Sequence, residues 1–134
     1  MMIGIVRELN EEEDKVGLLP ADVEALVVAG HTVLAETCCG SELNFEDEDY
    51  VAAGARVVSS AEEVFARCSL VVKVQEPLPC EWLLLRHGQT LLIHASLSAS
   101  DALTHACRSS GTICLTSDQM PGERLSQVLA LASE

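Results

Sequence analysis

The chain has 134 residues, of which 21 are Asp or Glu and 8 are Lys or Arg, giving a formal net charge of -13. That length suits one domain, residues 1–134, with a core of its own. The charge repels phosphate backbones and anionic lipid surfaces, which argues against nucleic acid as a partner and against direct membrane insertion. Acidic residues bunch at Glu11–Asp14, Glu46–Asp49 and Glu62–Glu63. All three groups fall in expected loops or first helical turns, where carboxylates are solvated and suit the helix dipole, and no His or Cys stands beside them at metal-ligand spacing. No metal is therefore expected. Six cysteines are spread without a C-x-x-C pair, and the opening Met1-Met2-Ile3-Gly4 has no basic leader. This reads as a cytoplasmic protein with reduced thiols, Cys107 and Cys114 in the core and Cys38-Cys39 exposed in a Gly-bounded loop.

In chain order, Ile3–Val6 is the first expected strand, followed by an acidic loop through Lys15. Pro20 opens a helix carrying Val23, Leu26 and Val27, and Gly30 closes it. His31–Ala35 is the second strand. A short helix with Tyr50, Val51 and Ala53 facing inward ends at Gly54, and Ala55–Val58 is the third strand. Ser60 caps a helix to Arg67, with Glu63 in the reciprocal position of a capping box. Leu70–Gln75 is a fourth, apolar strand ending in polar residues, after which Pro77 and Pro79 are expected to keep the backbone extended. A short helix from Trp82 to Arg86 precedes a fifth strand running from Leu91 to His94 and Ser96. A helix from Ser100 to Ser109, a strand Thr112–Leu115 and a helix from Leu125 complete the pattern. The last helix has no cap before Glu134, so the chain is expected to belong to a longer one.

Strands alternating with helices specify an α/β fold. The expectation is a doubly wound, mostly parallel sheet of about six strands with helices on both faces, Rossmann-like or flavodoxin-like. In such sheets ligands bind beyond the carboxyl ends of the strands, which gathers Lys73, Gln75, His94 and Ser96 as candidates. His31, His87 and His105 have no partner at ligand spacing and are expected at the surface.

An ordered set of motifs adds a family resemblance. Ile3-Gly4-Ile5-Val6-Arg7-Glu8, Glu13-Asp14-Lys15-Val16 with Pro20, Gly30-His31-Thr32-Val33, and Glu36-Thr37 with Gly40 come first. Asp47 with Tyr50, Ala53-Gly54-Ala55 and Val72-Lys73-Val74-Gln75-Glu76-Pro77 follow. Together they resemble the N-terminal domain shared by alanine dehydrogenases and the alpha subunit of nicotinamide nucleotide transhydrogenases. Three positions distinguish the branches. Where alanine dehydrogenases carry an arginine and a lysine toward substrate, this chain has Lys15 and Gln75, and where they carry a catalytic histidine it has Ser96. A lysine lacks the bidentate fork of arginine, and glutamine is no cation. Gln75 and His94 are closer to the transhydrogenase branch. Its catalytic loop of arginine, glutamine and aspartate falls on Gly122, Gln127 and Ala130, with Arg124 nearby.

The resemblance therefore implies the N-terminal domain, or a truncated form, of a transhydrogenase-like oxidoreductase passing hydride from NADH to NADP+, inactive alone. Gln127 and His94 are its expected catalytic residues, and Lys15, Lys73 and Gln75 line the cleft. The alternatives are an alanine dehydrogenase-type domain, with Lys15 as a weakened carboxylate contact, or a non-catalytic binding or assembly module. NAD(H) and NADP(H) are the implied cofactors of the whole family protein. None is expected tightly bound to this chain, which lacks the Gly-x-Gly-x-x-Gly turn that anchors a dinucleotide. The implied partners are a Rossmann domain or companion transhydrogenase subunits, in a homo-oligomer.

Overall fold

In the computed structural model, residues 1–8, 17–75, 77–93, 101–116 and 122–132 are described. Their strands form one six-stranded sheet, β1 (Met2–Ile5), β2 (Thr32–Glu36), β3 (Arg56–Val58), β4 (Leu70–Lys73), β5 (Thr90–Ile93) and β6 (Ile113–Thr116). Every pairing is parallel and the order is β3-β2-β1-β4-β5-β6. The connecting helices are α1 (Pro20–Val28), α2 (Asp47–Ala52), α3 (Ala61–Arg67), α4 (Asp101–Ser110) and α5 (Arg124–Ala132). This is the expected doubly wound α/β architecture, with strand order reversing between β1 and β4.

The alternation of side chains along each strand divides the core in two. Ile3, Ile5, Val33, Ala35, Leu70, Val72 and Leu92 meet Val23 and Leu26 of α1, Tyr50 of α2, and Val128 and Ala132 of α5. Leu34, Val71, Leu91 and Ile93 face the other way, onto Val64 and Phe65 of α3 and Leu103 and Cys107 of α4. On that second face Gly4 lets α3 approach closely, because a Cβ there would run into Val64 and stand 2.9 Å from Cys68 Sγ.

Several local expectations are corrected. Pro79 does not hold an extended segment: it begins a 3-10 helix, Pro79–Leu84, that replaces the expected helix from Trp82 to Arg86. A proline at a first helical position loses no hydrogen bond, and Leu78 N–H donates to Glu81 Oε1 at 3.0 Å, satisfying the entry to the turn. Val51 is exposed, whereas its neighbour Tyr50 is buried and donates its hydroxyl to Leu18 O at 2.8 Å. Ser60 caps α3 through Glu63 N–H at 3.3 Å, but the Glu63 carboxylate pairs with Arg67 at 3.0 Å instead of completing the box. The carboxyl end of α3 is tied off from a distance. Arg86 and Gln89 both donate to Phe65 O and Cys68 O, at 2.7–2.9 Å, supplying partners for carbonyls the helix leaves unpaired.

Replacing Gly4 by Ala tests the close packing of α3 on β1. Overpacking of this kind costs about 1–3 kcal/mol, so Gly4→Ala should lower the urea midpoint of unfolding with an unchanged slope.

Candidate functional site

The site is built where the sheet divides. Glu8 follows β1 by three residues, and its carboxylate lies across the carboxyl end of β4. Oε2 accepts from Val74 N–H at 3.2 Å, and Oε1 accepts from Gln75 N–H at 3.2 Å and from Lys73 Nζ at 3.4 Å. Lys73 Nζ also stands 3.5 Å from Glu81 Oε2, on the 3-10 helix. Lys73 is 1% exposed, Glu81 5% and Glu8 7%. A lysine buried this completely needs a charge partner and hydrogen bonds to offset its lost hydration, and here two carboxylates share it.

Glu36 ends β2 beside this cluster and accepts from Arg7 N–H at 2.8 Å. Burial pushes its carboxyl above the ordinary range, against the opposing pull of the Arg7 N–H bond and of the Lys73 charge. The described charges at this end of the sheet include Glu8, Glu36 and Glu81, with Lys73, Arg7 and Arg124 opposite them. No group of three or more His, Cys, Asp or Glu side chains poised to hold a metal occurs among the described residues.

Of the residues singled out from sequence, Lys73 and Gln75 lie together at the end of β4, Lys73 buried and Gln75 half-buried. Lys15, His94 and Ser96 lie outside the described residues, as does the Glu11–Asp14 run. Gln127 is 3% exposed, within α5, and its Nε2 donates to Gly122 O at 2.9 Å. Arg124, at the start of the same helix, donates to Gly17 O at 2.6 Å. Burial lowers the pKa of its guanidinium, partly offset by the charges of Asp22 and Glu8. Sequence reasoning missed Glu8, Glu36 and Glu81. Their one local signal was a carboxylate placed just beyond an apolar strand, or three residues into a proline-led turn.

The loop after β2 also departs from expectation. Cys38 is exposed in a left-handed conformation, φ 66°, but Cys39 is buried, and burial raises its thiol to about 12. Asp47 is not merely solvated: it accepts from Thr37 Oγ1 at 2.6 Å and from Cys38 N–H at 2.9 Å, holding the turn against α2. Cys107 is buried as expected, while Cys114 is only half-buried.

Comparison with known proteins now adds a decisive observation. Residues 4–134 match the family model described as "Alanine dehydrogenase/PNT, N-terminal domain". The chain belongs to this family. Alanine dehydrogenase 2 of Staphylococcus aureus is 41% identical over the whole chain, which spans 36% of that protein. Among solved structures, an L-alanine dehydrogenase superposes with a TM-score of 0.80 at 43% identity, covering 87% of this chain and 32% of that one. A transhydrogenase from Sinorhizobium meliloti superposes with a TM-score of 0.81 at 22% identity, over 99% of this chain and 38% of that one, a likeness of fold. The chain thus spans about a third of the relatives it matches. The S. aureus relative bears the alanine dehydrogenase name, and the transhydrogenase match is one of fold, so the transhydrogenase branch expected from Gln75 and His94 is not favoured.

At the strand crossover the described residues do not fit the phosphates of a dinucleotide, because the backbone donors there are already taken. The two places where a doubly wound sheet offers an anion receptor are the strand crossover and the start of the first helix. Glu8 takes the backbone N–H groups of Val74 and Gln75 at the first; at the second Pro20 has no N–H to offer, and Asp22 Oδ2 accepts from the N-cap Leu19 N–H at 3.0 Å, which places a carboxylate beside the helix start. No helix among the described residues is long and apolar enough to cross a membrane.

The raised pKa of Glu36 carries a sign. A carboxyl that ionises later in the folded state than in the unfolded chain leaves the native state holding more protons, so its contribution declines as pH rises from near 4.5 through the folded value. Glu36→Gln keeps the acceptor for Arg7 N–H and removes the titration. Its melting temperature relative to the parent chain should therefore climb with pH across the interval from about pH 4 to 7, and parallel curves would refute this.

Proposed function

We propose that this chain forms the substrate-side wall of an oxidoreductase cleft of the alanine dehydrogenase type, acting with a dinucleotide-anchoring wall that residues 1–134 do not supply. The observation that carries this reading is the occupancy of the crossover receptor by the chain's own Glu8, with the Asp22 carboxylate standing beside the start of α1. Among the described residues the crossover donors are thereby taken, and two carboxylates stand where a pyrophosphate would bring further negative charge. Identity of 41–43% to alanine dehydrogenases supports this branch, whereas the 22% likeness to a transhydrogenase supports the fold alone.

In this reading Lys15 faces the substrate carboxylate, Gln75 presents an amide at the end of β4, and His94 stands just beyond Ile93, the last residue of β5. Lys73 acts through its neighbours: with two carboxylates on its ammonium, it is not a free anchor for an anionic substrate. Gln127 has no part in this assignment, since its amide N–H closes the turn onto Gly122 O. The neutral Gln75, where the family resemblance puts a lysine, predicts weak hold on a 2-oxo or 2-amino acid. A cation in its place would add a charge-assisted hydrogen bond.

Two measurements test the reading. Calorimetric titration of the chain with NADH should give no saturable heat, and stoichiometric tight binding would refute a wall without a phosphate receptor. When the chain replaces the N-terminal third of the S. aureus alanine dehydrogenase, the chimera should oxidise L-alanine poorly. Gln75→Lys should raise its kcat/KM about tenfold or more. A chimera that binds NADH yet turns over no amino acid, with or without the lysine, would count against the substrate assignment.

A further inference from the structure

We propose that the crossover between β1 and β4 is a carboxylate-binding slot that the chain fills with its own Glu8, and that Glu8 is thereby the positioning residue for the Gln75 end of the cleft. The slot has the parts of an anion receptor. Two successive backbone N–H groups, of Val74 and Gln75, point at one carboxylate, each taking a different oxygen at 3.2 Å, and an ammonium closes the third side at 3.4 Å. Consecutive N–H groups converging in this way form a concavity that selects negative charge, and the strand-order reversal is where folds of this class receive a ligand's anionic group. Every polar wall of the slot is buried apart from Gln75, which is half-buried and opens it toward solvent.

The charge balance shows why Glu8, and not Glu81, is the occupant of the slot. Lys73 is shared by two carboxylates. Glu81 is held by its own turn, through Leu78 N–H at 3.0 Å, and with Lys73 makes a neutral pair. Glu8 is the additional anion: the Arg124 charge acts on it from α5, and the two amide N–H groups are its hydrogen-bond partners in the slot besides Lys73. Removing its carboxylate therefore leaves Lys73 paired and the strand end intact, but empties a receptor for a small monocarboxylate. The inference does not depend on which substrate the cleft takes. A ligand with an anionic group reaches these amides only by displacing Glu8, so the wall admits anionic substrates beside the slot and not within it.

The test is chemical rescue in the 134-residue chain. Glu8→Ala should melt below the parent. Sodium acetate should raise its melting temperature saturably, relative to sodium chloride at equal ionic strength, and leave the parent unmoved. Glu8→Gln fills the slot with a neutral group and should show no acetate response. Backbone hydrogen exchange at Val74 and Gln75 should quicken about tenfold or more in both variants, because a bond to a charged acceptor is lost or replaced by a neutral one. Acetate should restore protection in Glu8→Ala only. The proposal is overturned if Glu8→Ala melts with the parent, if acetate shifts all three proteins alike, or if the two amides exchange at parental rates. Should Glu8→Ala fail to fold without acetate, exchange in Glu8→Gln decides: faster at these two amides supports the slot, and parental rates overturn it. None of these readouts uses NADH or alanine, so failure here leaves the proposed oxidoreductase reading to its own tests.

Discussion

The carboxylate of Glu8 does for the middle of this sheet what no backbone ladder can. Where strand order reverses, β1 and β4 pair only as far as Ile5 and Val72. Glu8 spans the gap by taking both N–H groups that follow Lys73 and one contact from the Lys73 ammonium. Breaking a buried ion pair by removing one partner costs about 3–5 kcal/mol, because the other charge is left stranded. Sharing Lys73 between Glu8 and Glu81 guards against that outcome, and it also withdraws the lysine from ligand binding. Among the described residues, the polar group remaining at the end of β4 is the neutral side chain of Gln75.

The same economy of internal partners organises the rest of the carboxyl edge. Leu18 O receives the Tyr50 hydroxyl from α2, and Gly17 O receives the Arg124 guanidinium from α5. Two donors from helices far apart in sequence thus grip adjacent carbonyls of the segment entering α1. Gly17 itself lies against the sheet, where a Cβ would stand 2.8 Å from Val72 O, so this segment passes directly over the β1/β4 boundary. The first-helix connection and the crossover are one packed unit.

Membership of the alanine dehydrogenase/PNT N-terminal family accounts for the architecture and for identity of about two residues in five. Where the family resemblance implies an arginine, a lysine and a histidine toward substrate, this chain carries Lys15, Gln75 and Ser96, which offer less positive charge or hydrogen-bonding specificity.

The sequence by itself determined what depends on local periodicity and local chemistry. Six short apolar runs between helical patterns were enough for a doubly wound sheet. Ser60 as a cap, Pro20 as a first helical residue and the glycine after β2 could be read within a few residues of themselves. The end of β4 as a site was legible too, since polar residues closing an apolar strand are a local signal. Tertiary structure alone decided which groups meet. Lys73 finds Glu8 across 65 residues and Arg124 finds Gly17 across 107, and no spacing rule reaches that far. Burial likewise belongs to the assembled layers: Val51 turned outward, Cys39 and Gln127 turned inward, and Pro79 began a turn because neighbouring elements supplied or denied partners for each group. An isolated segment specifies its own backbone preference, but the cost of burying a charge is settled only by what the rest of the fold brings beside it.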